Sequence, residues 1–261
     1  MHKSGGVARF SRLDAIEGYY SAVEAEWPAR NVGYLRFHLD HLFDGVELSG
    51  ARVLDVGAGD GLYTFYAAAK GADRVVALEP EADGSSAGVR ERFESLGHRL
   101  GFGAVELRPD SFHDFDPGGE CFDVLFLRAS INHLDEHATS ALHHDDEARQ
   151  VYLELLAKLA GMSAEGAKLV VADCTRHNLF ARLGVRNPLQ PTIEWHKHQT
   201  PETWVDLLEE VGFGEPRVRW GSLNSLRGPG RALMGNRFAN WLTLGAFCLT
   251  MTFRQPAIVT A

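Results

Sequence analysis

Residues 53–61 read VLDVGAGDG, and this stretch decides the fold. A run of apolar, strand-forming residues leads directly into three glycines at alternate positions, Gly57, Gly59 and Gly61. Because glycine has no Cβ, the backbone can turn sharply there and come close to a ligand. A strand that ends in such a turn and runs into a helix is typical of open α/β sheets that bind a nucleotide-like ligand at the carboxyl ends of their strands.

Further apolar runs along the chain predict a complete sheet. Three are rich in Val and Leu and are separated by segments with helical spacing: RVVALEP (74–80), CFDVLFLRA (121–129) and AKLVVADC (167–174). Such runs predict parallel strands that are covered by helices on both faces. Weaker strands are expected at AVELRP (104–109) and PRVRWGSL (216–223), and a buried last strand is expected over Trp241–Phe253. The fold class is therefore α/β.

Length and charge limit the organisation and the partners of the chain. Its 261 residues, 45% of them hydrophobic, suffice for one full-sized core. We expect N-terminal helices over residues 1–50, followed by one α/β domain over residues 51–261 with an insertion at about 176–199. The net charge of -9 argues against a general nucleic-acid binder and favours a small-molecule partner. With neither a signal peptide nor a transmembrane segment in the sequence, a cytoplasmic location is expected.

Glu79 strengthens the interpretation of the glycine turn. It ends the second strand, about 20 residues beyond the turn, where a carboxylate can accept hydrogen bonds from the hydroxyls of a ribose. A nicotinamide or flavin fold would favour GxGxxG, but Leu62 occupies the place of its third glycine. The spacing therefore favours an adenosyl cofactor over a dinucleotide, although Glu79 could also be only a polar strand end.

On these residues the chain resembles the class I S-adenosylmethionine-dependent methyltransferase family, well over residues 51–173 and more loosely to residue 253. The resemblance implies S-adenosyl-L-methionine as cofactor and S-adenosyl-L-homocysteine as product. It also implies a doubly wound, seven-stranded, mostly parallel sheet of the Rossmann-like methyltransferase type. The last strand would be antiparallel and inserted beside the sixth.

The resemblance also assigns cofactor contacts to the strand ends. Asp55 would lie near the methionine amino group, although a carboxylate at a strand end can instead cap nearby amides. The other residues implied are Gly57, Ala58, Gly59 and Gly61 in the turn, Glu79 and Pro80 after the second strand, Asp110, Ser111 and Phe112 after the third, and Arg128, Ala129 and Ser130 after the fourth.

The segment SINHLDE (130–136) resembles the family's segment beside the transferable methyl group. His133 is the candidate base, because an imidazole can take a proton from a hydroxyl or ammonium nucleophile near neutral pH. Asp135 or Glu136 could orient it. A dedicated catalytic residue is not required, however, because placing the nucleophile in line with the methyl group can supply most of the acceleration.

The segment IEWHKHQTPETW (193–204) resembles the lid that forms acceptor pockets in small-molecule methyltransferases. Thr200, Pro201 and Glu202 mark the start of a helix within it. The residues expected to bind the substrate are Glu194, Trp195, His196 and His198. Packing of Trp195 in the core is the competing interpretation.

Two further stretches have unusual charge. A histidine-rich stretch over residues 137–146 suggests a metal site, but its residues are adjacent rather than at ligand spacing on a helix, so we expect a solvated loop and no metal. Beyond Glu215 there are six arginines and no acidic residue. That basic face could hold an anionic acceptor or touch an anionic membrane, or its arginines could simply be solvated.

Together these patterns predict methyl transfer to a small-molecule acceptor, more at oxygen than at nitrogen, with a sugar or natural-product intermediate as the expected substrate. Two alternatives stay open: a methyltransferase-like module that binds or regulates without catalysis, and an NAD-dependent oxidoreductase.

Overall fold

The computed structural model describes residues 12–81 and 88–254, and its centre is a seven-stranded sheet. The predicted ranges at residues 1–11, 82–87 and 255–261 lie outside the described residues. The strands are β1 (Arg52–Val56), β2 (Arg74–Leu78), β3 (Val105–Arg108), β4 (Phe122–Arg128), β5 (Ser163–Cys174), β6 (Phe213–Trp220) and β7 (Ala246–Phe253).

Ten α-helices surround the sheet within these residues. They are α1 (Arg12–Glu26), α2 (Val32–Leu42), α3 (Leu62–Ala69), α4 (Val89–Leu100), α5 (Glu136–Ala141), α6 (Asp146–Gly161), α7 (Leu179–Leu183), α8 (Pro201–Glu210), α9 (Arg227–Met234) and α10 (Arg237–Leu242). Short 3₁₀ turns cover Ile131–His133, Trp195–Lys197 and Asn224–Leu226.

The strand order is β3-β2-β1-β4-β5-β7-β6. The first five strands run parallel, with Leu54 of β1 opposite both Val76 and Leu125. Strand β7 lies between β5 and β6 and is antiparallel to both. The predicted α/β fold with a doubly wound, mostly parallel sheet is thereby confirmed, including the place of the last strand.

Apolar side chains fill both faces of the sheet. On one face, α1 to α4 bury residues such as Leu39 and Phe65 against β1 and β4. On the other, α6 and α8 bury Tyr152, Leu156 and Trp204. In β1, β2 and β4 neighbouring positions are buried whichever face they point to, which explains the continuous apolar runs of those strands in the sequence.

Helix starts follow the caps expected from the sequence. The Thr200 side chain accepts a hydrogen bond from the amide of Thr203, so α8 begins at Pro201 as predicted. Asp145 accepts from the amides of Glu147 and Ala148 and starts α6. The second half of the histidine-rich stretch is thus a loop and a helix cap.

The predicted limits of two strands were wrong. Trp241 and Leu242 belong to α10, because Asn236 caps that helix by accepting from the amide of Ala239 at 2.9 Å. The chain then reverses at Gly245, where φ is +62°, and β7 begins at Ala246.

Strand β6 begins and ends three residues earlier than PRVRWGSL implies. Its pairing with β7 starts at Phe213, opposite Phe253, and ends at Trp220, opposite Phe247. After Gly221, whose amide donates to the Ala246 carbonyl at 2.8 Å, the chain leaves the sheet, so the predicted end of this strand was wrong.

The predicted N-terminal helices are present and share the core of the sheet. The Tyr19 hydroxyl donates to the Leu62 carbonyl at 2.8 Å, at the start of α3. Phe43 stacks on Tyr66 with ring centroids 5.5 Å apart. A domain boundary at residue 50 stays a prediction. In the described part of the chain, none of the helices is long and apolar enough to span a membrane.

Candidate functional site

The glycine turn joins three strand ends. The amides of Gly57 and Ala58 both donate to the Leu78 carbonyl at 3.0 Å, and the Ser130 hydroxyl donates to the Val56 carbonyl at 2.6 Å. Gly57 has a φ of +77°, and a Cβ there would lie 2.7 Å from the Ser130 Cβ. Only glycine therefore fits at Gly57 without moving the end of β4.

Glu79 is held in place by the turn itself. Its Oε2 accepts from the Gly59 amide at 2.7 Å and its Oε1 from the Glu81 amide at 3.1 Å, while the residue is only 4% exposed. A carboxylate oxygen can accept more than one hydrogen bond, so the fixed carboxylate can also receive ligand hydroxyls.

A cavity of about 530 Å³ lies at the carboxyl ends of β1, β2 and β4, and we call it the turn cavity. It brings together nine of the predicted cofactor residues: Gly57, Gly59, Glu79, Pro80, Ser111, Phe112, Arg128, Ala129 and Ser130. The lining also includes five residues that were not predicted as cofactor contacts: Asp60, Val89, Arg92, His113 and Leu134. Asp60 lies within VLDVGAGDG and Leu134 within SINHLDE, whereas Val89 and Arg92 lie on α4, away from any predicted strand end.

Three other predicted cofactor residues lie outside the lining of the turn cavity. Ala58 is buried beneath the turn, and Gly61 caps α3, where a Cβ would lie 2.6 Å from the Phe93 ring. Asp110 instead pairs with Arg108 at 2.8 Å. The turn thus needs Gly61 for its shape, and contacts of Ala58, Gly61 and Asp110 with the cofactor stay predictions.

Asp55 supports the turn from behind and is also absent from the cavity lining. It is buried within β1 and accepts a hydrogen bond from the Thr64 hydroxyl at 2.6 Å. Burial raises the pKa of Asp55 to about 7, with the Thr64 hydrogen bond acting in the opposite direction. Its contact with a methionine amino group stays a prediction.

His133 stands at the edge of the turn cavity with a carboxylate beside it. Its Nδ1 lies 2.6 Å from Oε1 of Glu136, whose Oε2 lies 2.7 Å from Nζ of Lys197. Hydrogen bonds from Lys197 and then from His133 lower the pKa of Glu136. Glu136 is therefore charged near neutral pH and can hold the imidazole in one orientation.

Asp135 does not orient His133, so this part of the prediction was wrong. The Asp135 carboxylate accepts from the Ala138 amide at 2.8 Å and caps α5. Its extended backbone turns the side chain back over the helix start, whereas Glu136, three residues after His133, faces the imidazole.

A second cavity of about 850 Å³ adjoins the turn cavity, and we call it the lid cavity. The two share Arg128, Ala129, His133 and Glu136. The walls of the lid cavity come from α2, from the ends of β5 and β7, and from the lid segment at residues 189–194, 197 and 198. His133 thus stands where the two cavities meet.

The lid cavity contains buried polar atoms that lack partners. Asn132 is 0% exposed, and both atoms of its side-chain amide lack a hydrogen bond within the described structure. Oδ1 of Asp173 lies 2.9 Å from Nδ1 of His198, while its Oδ2 is buried and unpaired among the described residues. Leaving such a group unpaired costs about 1–3 kcal/mol, so a ligand or water that reached these atoms would be stabilised by the hydrogen bonds formed. Neither Asn132 nor Asp173 was predicted, although Asp173 lies at a strand end.

Several other titratable side chains that line the lid cavity are either neutral or paired with an opposite charge. Burial, followed by the charge of a nearby arginine, lowers the pKa of both His38 and His41 to about 4, so both are neutral near pH 7. Lys197 lies between Glu136 and Glu194, at 2.7 and 2.8 Å.

The predicted substrate residues divide between two cavities. Glu194 and His198 line the lid cavity, whereas Trp195 and His196 line a separate cavity of about 910 Å³ together with Trp220. Trp195 is half-buried in a 3₁₀ turn and is not part of either hydrophobic cluster of the sheet. Contacts of Trp195 and His196 with the acceptor stay predictions.

The histidine-rich stretch holds its polar groups in pairs. Nε2 of His143 lies 3.1 Å from Nδ1 of His144, and Arg176 contacts the other ring nitrogen of His143 at 3.0 Å. Across the described ranges, no group of three or more His, Cys, Asp or Glu side chains could hold a metal ion.

A match to a known family model shows which protein family the chain belongs to. A family model described as a methyltransferase domain matches residues 30–214. The chain belongs to the methyltransferase-domain family. The predicted class I S-adenosylmethionine-dependent methyltransferase, with S-adenosylmethionine as its cofactor, is thereby confirmed. The family match favours this enzyme class over the alternative of an NAD-dependent oxidoreductase.

Solved structures share the fold at low sequence identity. An S-adenosylmethionine-dependent methyltransferase from Mesorhizobium loti is 15% identical, with a TM-score of 0.56 over 87% of this chain and 97% of that one. The plantazolicin methyltransferase BpumL, solved in complex with SAH, is 13% identical, with a TM-score of 0.51 over 92% of this chain and 86% of that one.

A curated relative, the tRNA U34 carboxymethyltransferase of Marinobacter nauticus, is 30% identical over 127 residues. The match covers 48% of this chain and 32% of that protein, so the chain spans about a third of the length of the curated relative it matches.

The turn cavity of this methyltransferase fits its cofactor. Glu79 presents a buried, fixed carboxylate at the wall, as a ribose diol requires. A Cβ on Gly59 would meet no other atom within 4 Å and would stand in the cavity itself, so the missing side chain leaves room for a ligand.

Proposed function

We propose that this protein transfers the methyl group of S-adenosylmethionine to a hydroxyl oxygen of a small, neutral, polar acceptor, such as a sugar or a hydroxylated natural-product intermediate. One observation carries the proposal: His133, backed by Glu136, stands where the turn cavity meets the lid cavity.

The chain's own groups divide the work between binding and proton transfer. When bound, the cofactor supplies a methyl group that its sulfonium already activates for attack. Glu79 and the glycine turn would hold the ribose and methionine parts. Binding the acceptor hydroxyl beside His133 would place its oxygen for in-line attack.

The proton of the hydroxyl then needs an acceptor. Because Nδ1 of His133 faces Glu136, the imidazole carries its proton on Nδ1 and can accept the hydroxyl proton at Nε2. The adjacent carboxylate stabilises the imidazolium that forms, and Lys197 keeps Glu136 charged and in place.

The lid cavity supports a neutral acceptor. Asn132 and Asp173 offer unpaired buried groups suited to hydroxyls, and His38 and His41 are neutral near pH 7. Of the two Lys and Arg side chains in the cavity wall, Lys197 is paired with two carboxylates, whereas Arg128 packs 4.9 Å from the centre of the Tyr63 ring and keeps its charge.

A turnover assay tests the proposal. The purified protein is incubated with S-adenosylmethionine and a panel of phenols and methyl glycosides, and S-adenosylhomocysteine is measured. With any acceptor found, His133→Ala should lower kcat by about 10²–10⁴-fold, the usual contribution of a general base, and leave the Kd of S-adenosylhomocysteine unchanged. His98→Ala, an exposed histidine on α4, is the control.

Two results would contradict the proposal. Tight binding of S-adenosylhomocysteine without turnover on any hydroxylated compound would favour a module that binds but does not catalyse. Unchanged turnover of His133→Ala across the pH range around neutrality would show that placement alone drives the reaction.

A further inference from the structure

Exposed apolar side chains concentrate on two segments, residues 176–193 and 221–245, whose ends line part of the lid cavity. Leu233, Phe238 and Leu183 are 75%, 70% and 62% exposed. The other large apolar side chains exposed on these segments are Val185, Leu189, Leu226 and Leu242. Elsewhere in the described chain only Leu13, Tyr34 and Val218 are comparably exposed. Monomeric proteins seldom group exposed apolar residues in this way without a partner for them.

The same two segments are basic, although the protein as a whole is acidic. They contain no Asp or Glu, whereas the whole chain has a net charge of -9. Their arginines are Arg176, Arg182, Arg186, Arg227, Arg231 and Arg237. This local reversal of charge fits an anionic partner.

The two segments form one surface. Helix α10 contacts both α7 and α9. The Asn187 side-chain amide also donates to the Thr243 carbonyl at 2.7 Å and ties the loop after α7 to the end of α10. We call residues 176–193 and 221–245 together the lid surface.

The arginines of the lid surface differ in what they contact. Arg231 packs over the Phe37 ring at 4.3 Å, and Arg237 pairs with Glu202 at 2.9 Å. Arg182 and Arg186 are exposed, and neither forms an ion pair with a described residue. These two flank the exposed Leu183 and Val185, so charge and apolar surface alternate over five residues.

We propose that the lid surface docks on the surface of an anionic lipid bilayer. Single leucine and phenylalanine side chains can enter the boundary between headgroups and acyl chains, while arginines contact the anionic headgroups. Single-stranded RNA would instead use aromatic platforms for its bases. The lid surface has a stacked aromatic pair, Phe238 and Trp241, but five of its seven exposed apolar residues are leucines, which favours the bilayer.

Docking in this way would bring one edge of the lid cavity to the bilayer. Leu189 is exposed on the lid surface and also lines that cavity. The inference does not depend on the proposed hydroxyl acceptor, because it concerns binding and not turnover.

Vesicle sedimentation tests the inference without any acceptor. The full-length protein is mixed with vesicles of phosphatidylcholine alone or of equal parts of phosphatidylglycerol and phosphatidylcholine. It should sediment with the anionic vesicles and remain in solution with the neutral ones. Replacing Leu233 and Phe238 by Ser should each weaken binding by about tenfold or more, the effect expected from removing one buried apolar side chain.

Charge variants test the contribution of the arginines of the lid surface to vesicle binding. Arg182→Glu and Arg186→Glu should each weaken binding at least about fivefold, because one basic residue near an anionic surface contributes roughly 1 kcal/mol. The matched controls are Leu13→Ser on α1 and Lys70→Glu, an exposed residue after α3 that forms no ion pair with a described residue; both should sediment like the wild type. All the replaced side chains are exposed, and melting curves check that each variant is folded.

Four results would overturn the inference. They are equal binding to neutral and anionic vesicles, no binding to either, lid-surface variants that bind like the wild type, and a lipid-free dimer that Phe238→Ser dissolves. In the last case a second copy of the chain is the partner. Binding of a single-stranded oligouridylate that Phe238→Ser and Arg186→Glu abolish, without vesicle binding, would point to RNA instead.

Discussion

The turn cavity and the lid cavity share a wall but are built in different ways. The turn cavity is lined by residues between Val56 and Glu136, most of them at or just beyond the ends of neighbouring parallel strands. The lid cavity is lined by residues from His38 to Cys248 and joins α2, the lid segment and the end of an antiparallel strand. The turn cavity is thus formed by residues close in the sequence, whereas the lid cavity forms only when segments distant in the sequence pack together.

Their polar groups differ in the same way. In the turn cavity, the Glu79 carboxylate accepts hydrogen bonds from backbone amides of its own loop and of the neighbouring turn, so its position is fixed before a ligand binds. In the lid cavity, Asn132 and Asp173 keep buried atoms unpaired. The first arrangement suits a constant cofactor, and the second suits a ligand whose own groups complete the hydrogen bonds.

The largest expected effect falls on the turn cavity. Glu79→Ala should raise the Kd of S-adenosylhomocysteine about 10- to 100-fold, because charge-assisted hydrogen bonds contribute about 1.5–3 kcal/mol. Isothermal titration measures it. Glu79→Gln keeps an oxygen that can accept from the Gly59 amide, so its Kd should lie between those of the wild type and of Glu79→Ala. The control is Asp73→Ala, which removes an exposed carboxylate before β2. If Glu79→Ala binds S-adenosylhomocysteine with wild-type affinity, Glu79 does not contact the cofactor.

The next effect concerns stability beneath the turn cavity. Burial raises the pKa of Asp55 to about 7 from an ordinary value near 4, so the folded protein holds this proton more tightly than the unfolded chain. The stabilisation is fully present below about pH 4 and is lost as the pH rises through about 7. The amide introduced by Asp55→Asn does not titrate, so only the wild type loses this stabilisation. Between about pH 5 and pH 8, the free energy of unfolding of Asp55→Asn minus that of the wild type should therefore increase by at least about 1.4 kcal/mol.

Urea unfolding of the cofactor-free protein at both pH values measures this change. Asp123→Asn is the matched control, because hydrogen bonds from Arg52 lower the pKa of Asp123 and place its titration below this window. A constant difference between wild type and Asp55→Asn across the window would show that Asp55 has an ordinary pKa.

The smallest expected effect lies in the lid cavity. Asp173→Asn removes the charge beside His198 but keeps the shape of the side chain. With an acceptor found by the turnover assay, KM should rise about twofold to tenfold, as for the loss of one hydrogen bond, and the Kd of S-adenosylhomocysteine should not change. Asp206→Asn on the exposed face of α8 is the control. A change in cofactor affinity instead would mean that the two cavities are coupled.

The sequence predicted most of the turn cavity because its signals are local. VLDVGAGDG combines a strand, its turn and a helix start within nine residues, and Glu79 ends the neighbouring strand. The choice between Asp135 and Glu136 was beyond the sequence, because it depends on the extended backbone that makes Asp135 a helix cap.

The lid cavity was predicted only in part. His198 was proposed from its segment, but its partner Asp173 lies 25 residues earlier and comes beside it only through folding. Nothing in the pattern distinguishes Asn132 from any other polar residue after a strand. Trp241 and Leu242 gave the same apolar signal as the strand that follows them, although they lie on a helix of the lid surface.

The position of β7 has a consequence for the order in which the two sites can form. Strand β6 pairs with β7 alone, and β7 separates it from β5, so β6 leaves the ribosome before it has any strand to join. The parallel strands β1 to β5 pair with one another, and only the outer edge of β5 waits for β7, so they can assemble the turn cavity during synthesis. Ala246, Phe247 and Cys248, which close one wall of the lid cavity, arrive last. A nascent chain should therefore hold its cofactor before it can accommodate an acceptor.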